Sequence, residues 1–112
     1  MGPPDRSTER TVVPRTVQLR RYDVKPHLLD DFLAWWPARL VPARAEFGFT
    51  VESAYLNRET AEFTWAVSAE GDADEFRRLE QLWMDSPERT VVFEGIDGWN
   101  DSVVIALVEK LV

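Results

Sequence analysis

The chain has no cysteine among its 112 residues, which excludes disulfides, a thiolate nucleophile and thiolate metal sites. It has a single histidine, His27. A histidine-rich metal centre is therefore excluded, and a haem iron would have only that imidazole to bind. No apolar run approaches the roughly 20 residues of a membrane span. The opening residues, Met1 to Arg10, hold no apolar signal core, and Arg6 stands where a myristoylation signal needs Ser or Thr. The cytoplasm is the expected location. A basic stripe is missing too. Net charge is −7; residues 1–44 carry eight Arg/Lys against five Asp/Glu (+3), and residues 45–112 carry five against fifteen (−10). That balance argues against nucleic acid and anionic membranes as partners. There is no glycine-rich phosphate loop, no Gly-x-Ser-x-Gly elbow and no dinucleotide fingerprint. The acidic groups Asp30-Asp31, Asp72-Asp74-Glu75 and Glu94-Asp97-Asp101 lack the spacing of a calcium loop. No cofactor and no metal is expected.

What the chain does have is aromatic side chains: five Trp, six Phe and two Tyr. That is a heavy load for one small domain, and some of these rings are expected to line a ligand site or a subunit interface. Residues 15–112 are read as that domain. Residues 1–14, polar and proline-bearing, are read as a disordered tail.

Patterning predicts a first strand over Thr16–Val24, with Arg20 and Tyr22 on one face and Leu19 and Arg21 on the other. A first helix follows, with a stripe of Leu29, Leu33, Trp36, Leu40, Ala43 and Phe47, a kink induced by Pro37, and Gly48 as its left-handed cap. Strand two is expected over Phe49–Asn57, with Phe49, Val51, Ser53 and Tyr55 sharing a face. Strand three, Glu62–Ser68, places Phe63, Trp65 and Val67 together, joined to strand two by a short hairpin. A second helix opens at Asp72 with a capping box to Glu75, presents Phe76, Leu79 and Trp83, and carries an Asp74–Arg78 pair outside. A short turn over Glu88–Phe93 follows. The last strand, Asp101–Val112, is an almost continuous apolar run that predicts burial on both faces.

The order βαββαβ specifies an α+β, ferredoxin-like fold: a four-stranded antiparallel sheet with both helices on one face. The other face keeps apolar residues such as Leu19, so two sheets closing face to face into a homodimer are expected.

Leu19-Arg20-x-Tyr22-x-Val24-Lys25-Pro26, Leu40-Val41-Pro42 through Gly48-Phe49, Asn57-Arg58, Phe63-x-Trp65, and Trp83-Met84-Asp85-Ser86-Pro87 together resemble NIPSNAP-type domains over residues 16–112. The resemblance implies a dimeric α/β barrel with a ligand cavity between sheet and helices. Its superfamily includes cofactor-independent monooxygenases of antibiotic biosynthesis and polyketide cyclases. The chain departs from the family turn by carrying His27 in place of glycine, which adds a titratable group near the expected cavity mouth.

The candidate catalytic residues are Arg20, Tyr22, His27 and Tyr55. Arg20 and Tyr22 are a cation and a phenol suited to holding a carboxylate, phenolate or enolate oxygen; their structural alternative is an internal ion pair and a packed ring. His27 and Tyr55 are candidate proton carriers. Trp35, Trp36, Trp65 and Phe63 are the candidate substrate-binding aromatics, with plain core packing as the alternative for each. The expected reaction is cyclase- or isomerase-type proton transfer, or cofactor-free oxygenation, on a planar aromatic or polyketide-like metabolite. The alternative is a non-catalytic dimeric binding module.

Overall fold

Strand and helix order follow the patterning in a computed structural model that describes residues 14–96 and 98–111. Most of the expected tail, residues 1–13, lies outside the described residues. The chain forms β1 (Arg15–Val24), a 3₁₀ turn (Pro26–Leu28), α1 (Leu29–Trp35), a π turn (Trp36–Leu40), α2 (Val41–Phe47), β2 (Thr50–Asn57), β3 (Glu62–Glu70), α3 (Ala73–Met84), α4 (Pro87–Val92) and β4 (Asn100–Val108). All pairings in the sheet are antiparallel, in the order β2-β3-β1-β4. The two strands that end up central, β1 and β3, carry the helix-facing row Gln18, Arg20, Tyr22 and Val24 beside Phe63, Trp65 and Val67.

Pro37 does not break the first helix. It lacks the N–H that an α-turn would use, and the backbone widens instead: the Val41 N–H reaches the Trp36 carbonyl, five residues back. The wider turn has a consequence for packing. In a straight α-helix, residues four apart drift by about 40° per step. The π turn absorbs that drift, so Phe32, Trp36, Leu40 and Arg44 all stay on the sheet-facing side and are all buried. The predicted stripe expected a kink at Pro37 rather than a π turn, and its alternating steps of four and three residues passed over Phe32 and Arg44. Gly48 ends the helix at φ 114°, as expected.

The core is an aromatic layer. Trp65 (0% exposed) and Trp83, Phe32 and Phe76 (1%) are its most buried large rings. Trp36 meets Phe63 and Trp65 edge-on, with centroids 4.9 and 5.3 Å apart, and each such ring contributes about 2–3 kcal/mol through burial. α3 starts with the predicted capping box: the Glu75 N–H donates to Asp72 Oδ1 at 2.9 Å, and Glu75 Oε1 accepts from the Asp72 N–H at 2.8 Å. Gly71 stands before it at φ 110°, where a Cβ would sit 2.7 Å from that of Glu75. The outer ion pair on α3 joins Asp74 to Arg77 rather than to Arg78 (3.1 Å); the i,i+3 neighbour is equally within reach on a helix surface.

Two further expectations are corrected. A β-bulge at Glu52 shifts the β2 register between Val51 and Ser53. One extra residue exchanges the faces of everything after it. Val51 faces the helices, but Ser53 and Tyr55 turn to the outer sheet face, where Tyr55 is 70% exposed. The last strand is an edge strand and is not buried on both faces within one chain. Val103, Val104, Ile105 and Val108 are 39–50% exposed, because α3 and the first helix cover β1, β2 and β3 and leave β4 to one side.

The outer face also carries a polar chain across three strands. Arg15 Nη1 donates to Ser68 Oγ (2.9 Å), Ser68 Oγ donates to Glu52 Oε2 (2.6 Å), and Lys110 Nζ lies 3.7 Å from Glu52 Oε1. The Ser68 hydrogen bond is the main cause holding the Glu52 carboxyl below its ordinary pKa, with Lys110 and Arg15 adding to it. A depressed carboxylate pKa stabilises the fold at pH values above the unfolded pKa, and that contribution disappears as pH falls through the folded pKa. Ser68→Ala is therefore expected to cost about 1 kcal/mol at pH 7, with the difference shrinking toward pH 3. Urea unfolding of both proteins at the two pH values checks this; an unchanged difference contradicts it.

Candidate functional site

A cavity of about 330 Å³ opens between the sheet and the helix layer. β1 supplies Arg20 and Tyr22, α1 supplies Phe32 and Trp35, α4 supplies Arg89, and the segment leading into β4 supplies Phe93, Trp99 and Asn100. The position follows from topology. The helices cover the sheet as far as β1, and β4 extends beyond them, so a gap remains over the β1–β4 pair. Val103 on β4 forms its edge. The walls are aromatic: Trp35 packs on Phe93 (5.1 Å) and Trp99 (5.5 Å), and Phe32 lies 5.9 Å from Trp99. Trp35 Nε1 donates to the Val92 carbonyl at 3.0 Å, which fixes its ring on the cavity wall.

Arg20 is held from several sides. Its Nε donates to Tyr22 Oη (2.8 Å), and Nη1 donates to Gln18 Oε1 (2.6 Å) and more loosely to Glu80 Oε2 (3.4 Å). Among the described residues its Nη2 makes no hydrogen bond. The guanidinium also lies 5.6 Å from the Trp65 ring. Because Tyr22 Oη accepts from Arg20, its own O–H proton is left to point elsewhere, and the pair presents two donors on one cavity wall.

Behind Arg20 stands Arg44, with a side chain only 3% exposed. Its Nη1 donates to Glu80 Oε1 at 2.8 Å, and its guanidinium stacks over Phe49 (4.6 Å) and Trp83 (5.0 Å). Burial, the dominant influence, pulls its pKa below the ordinary arginine value, and the Glu80 carboxylate opposes that shift. Glu80 thus serves two cations, one tightly and one at the edge of hydrogen-bonding distance.

Of the eight residues expected at the site, three line the cavity: Arg20, Tyr22 and Trp35. Trp36, Trp65 and Phe63 are buried in the core and do not line the cavity; burial removes their faces from any ligand. His27 sits on the exposed 3₁₀ turn and does not line the cavity, since β1 ends and the chain turns away from the sheet before reaching it. Tyr55 is on the opposite sheet face, flipped there by the bulge, beside Val17, Leu19 and Lys110. Sequence reasoning missed Arg89, Phe93, Asn100, Glu80 and Arg44. Only the Arg89–Phe93 pair carried a signal, an i,i+4 spacing that brings the guanidinium 4.3 Å over the ring. Asn100 Oδ1 is buried without a hydrogen-bond partner.

No protein-family model matches the chain, and no curated protein matches its sequence. Solved structures do match. A NIPSNAP family protein from Agrobacterium tumefaciens superposes with a TM-score of 0.73 at 7% identity, over 87% of this chain and 93% of that one. A NIPSNAP-like domain protein from Burkholderia xenovorans gives 0.73 at 13% identity, over 89% and 88%. An antibiotic biosynthesis monooxygenase gives 0.61 at 12% identity, over 86% and 98%. The chain therefore has the ferredoxin-like α+β fold that NIPSNAP proteins share with antibiotic biosynthesis monooxygenases, the fold its opening strand and helix-end motifs resembled.

Proposed function

We propose that the protein is a small cofactor-independent enzyme acting on a planar aromatic or polyketide-like metabolite. The observation that carries this reading is the Arg20–Tyr22 donor pair on the wall of an aromatic cavity of about 330 Å³, the size range of small-molecule sites. The substrate ring packs against the wall that Trp35 and Trp99 form together. A carbonyl oxygen of the substrate takes the Tyr22 hydroxyl and Arg20 Nη2 as donors. As an adjacent carbon loses its proton, charge develops on that oxygen, and each prealigned donor in a partly dry site is worth about 2.7–4 kcal/mol of transition-state stabilisation. His27 and Tyr55 do not reach this cavity within one chain, so the proton leaves to water at the open mouth. Isomerisation or ring closure follows from the enolate; attack of the same enolate on dioxygen is the oxygenase variant, to which the monooxygenase-like fold lends analogy alone.

The second reading is a non-catalytic binding module. Its support is the Arg20–Glu80 contact, since an arginine with an internal acid is what a purely structural role also requires. Both readings include a homodimer formed through the outer sheet face, where Leu19 and Val104 are 39% and 50% exposed on adjacent strands and a patch of that kind calls for a partner. Both also place the protein in the cytoplasm; among the described residues no helix is long and apolar enough to cross a membrane.

Two experiments test this. Host extract incubated with wild type or with Arg20→Ala, then compared by untargeted mass spectrometry, is expected to show a species consumed at least 10²-fold faster by wild type, with both proteins folded by circular dichroism. No difference favours the binding module. In sedimentation equilibrium the wild type is expected at twice its 12.9 kDa chain mass, with Leu19→Glu folded but monomeric. A monomeric wild type removes the dimer from the proposal.

A further inference from the structure

The protein is acidic, yet its cavity is not. Among the described residues lining the cavity, the charged side chains are Arg20 and Arg89, and none is acidic. These cations differ in how they are neutralised. Arg20 shares Glu80 with Arg44. Arg89 makes no ion pair among the described residues; its recorded neighbour is the Phe93 ring, 4.3 Å from the guanidinium carbon. Its backbone is fixed at the start of α4, where its N–H donates to Ser86 Oγ (3.1 Å). An arginine stacked on an aromatic wall keeps its planar edge free, and that edge matches a carboxylate in bidentate geometry.

Behind this wall the charge is also unbalanced. Arg20 and Arg44 are two guanidiniums with one carboxylate between them, and the three side chains are 3–18% exposed. Partly buried excess positive charge is costly in low dielectric and favours an anion nearby. The two sources of positive potential reach the same cavity from different elements, β1 and α4.

We infer that the ligand is an aromatic carboxylate, anionic before any reaction, and that Arg89 is the residue that binds its carboxylate. This rests on the reading of the cavity as the ligand site and deepens it. Arg20 and Tyr22 then remain available for the reacting carbonyl oxygen, Trp35 and Trp99 hold the ring, and Arg89 selects the charged ligand over its neutral counterpart. Asn100 Oδ1, buried and unpaired, adds an acceptor for a ring hydroxyl.

The test uses two isosteric probes, 2-naphthoate and 2-naphthamide, with binding read by quenching of tryptophan fluorescence, since Trp35 and Trp99 line the cavity. Wild type is expected to bind naphthoate at least tenfold more tightly than naphthamide. Arg89→Gln is expected to bring the two within twofold, with the larger loss on naphthoate. Arg58→Gln, which removes a cation from the exposed β2–β3 turn, is expected to keep the wild-type preference. Equal affinities in wild type, no binding of either probe, or a preference that survives Arg89→Gln overturns the inference. A charge preference lost in Arg89→Gln, together with no metabolite consumed from host extract, would uphold this ligand assignment and remove the enzyme reading, so the two can fail separately.

Discussion

One carboxylate shared by two arginines organises this domain. Glu80 lies on α3, Arg44 on the second half of the first helix and Arg20 on the central strand β1, so the three side chains join both helices to the sheet at one point. Burial drives the aromatic core, but it is non-directional and does not choose where each helix sits along the sheet. The charged cluster is directional. Removing Glu80 would leave two guanidiniums facing one another among the rings of Trp65, Trp83 and Phe49, a more severe change than the loss of any single apolar contact. The cluster also positions the site, because the same contacts that anchor Arg20 from behind leave its outer edge and the Tyr22 hydroxyl toward the cavity.

Two local irregularities make that arrangement possible. The π turn at Trp36–Leu40 keeps Arg44 in phase with Phe32 and Trp36, so a cation that straight helix geometry would rotate away is brought under the helix to meet Glu80. The bulge at Glu52 sends Ser53 and Tyr55 to the outer face and turns Ala54 and Leu56 toward the helices, opposite Trp65 and Phe63. The first builds the site's electrostatic support. The second leaves Glu52 and Tyr55 to the other face, beside residues that the proposed dimer would cover. Irregularities of this kind recur near functional sites because they re-aim side chains that regular geometry would misplace.

The fold was legible because it rests on periodicity. Alternation in β1 and β3, the capping box at Asp72 and the cap at Gly48 are local signals, and each appears where expected. The pair Arg20 and Tyr22 was legible for the same reason, since two residues apart on a strand means one face. Tyr55 was misplaced because a bulge leaves no mark in the hydrophobic pattern of Thr50–Asn57. Arg44 was missed because a buried cation is rare and its phase depends on how Pro37 is accommodated. The long apolar run of β4 suggested full burial, but a run of that kind cannot distinguish a strand buried within its own chain from an edge strand that is left for a partner. Arg89 and Glu80 come together with Arg20 only through tertiary packing, which no spacing along the chain encodes.

The central claim is that Glu80 holds Arg44 tightly and Arg20 only loosely, so that Arg20 is placed by the cluster and still has its Nη2 available to a ligand. Double-mutant cycles on stability measure this directly, pairing Glu80→Gln with Arg44→Met and, separately, Glu80→Gln with Arg20→Met. The account predicts a coupling above about 1.5 kcal/mol for Glu80 with Arg44 and below about 0.5 kcal/mol for Glu80 with Arg20. Equal couplings, or a stronger one to Arg20, would make Arg20 a structural arginine and contradict it.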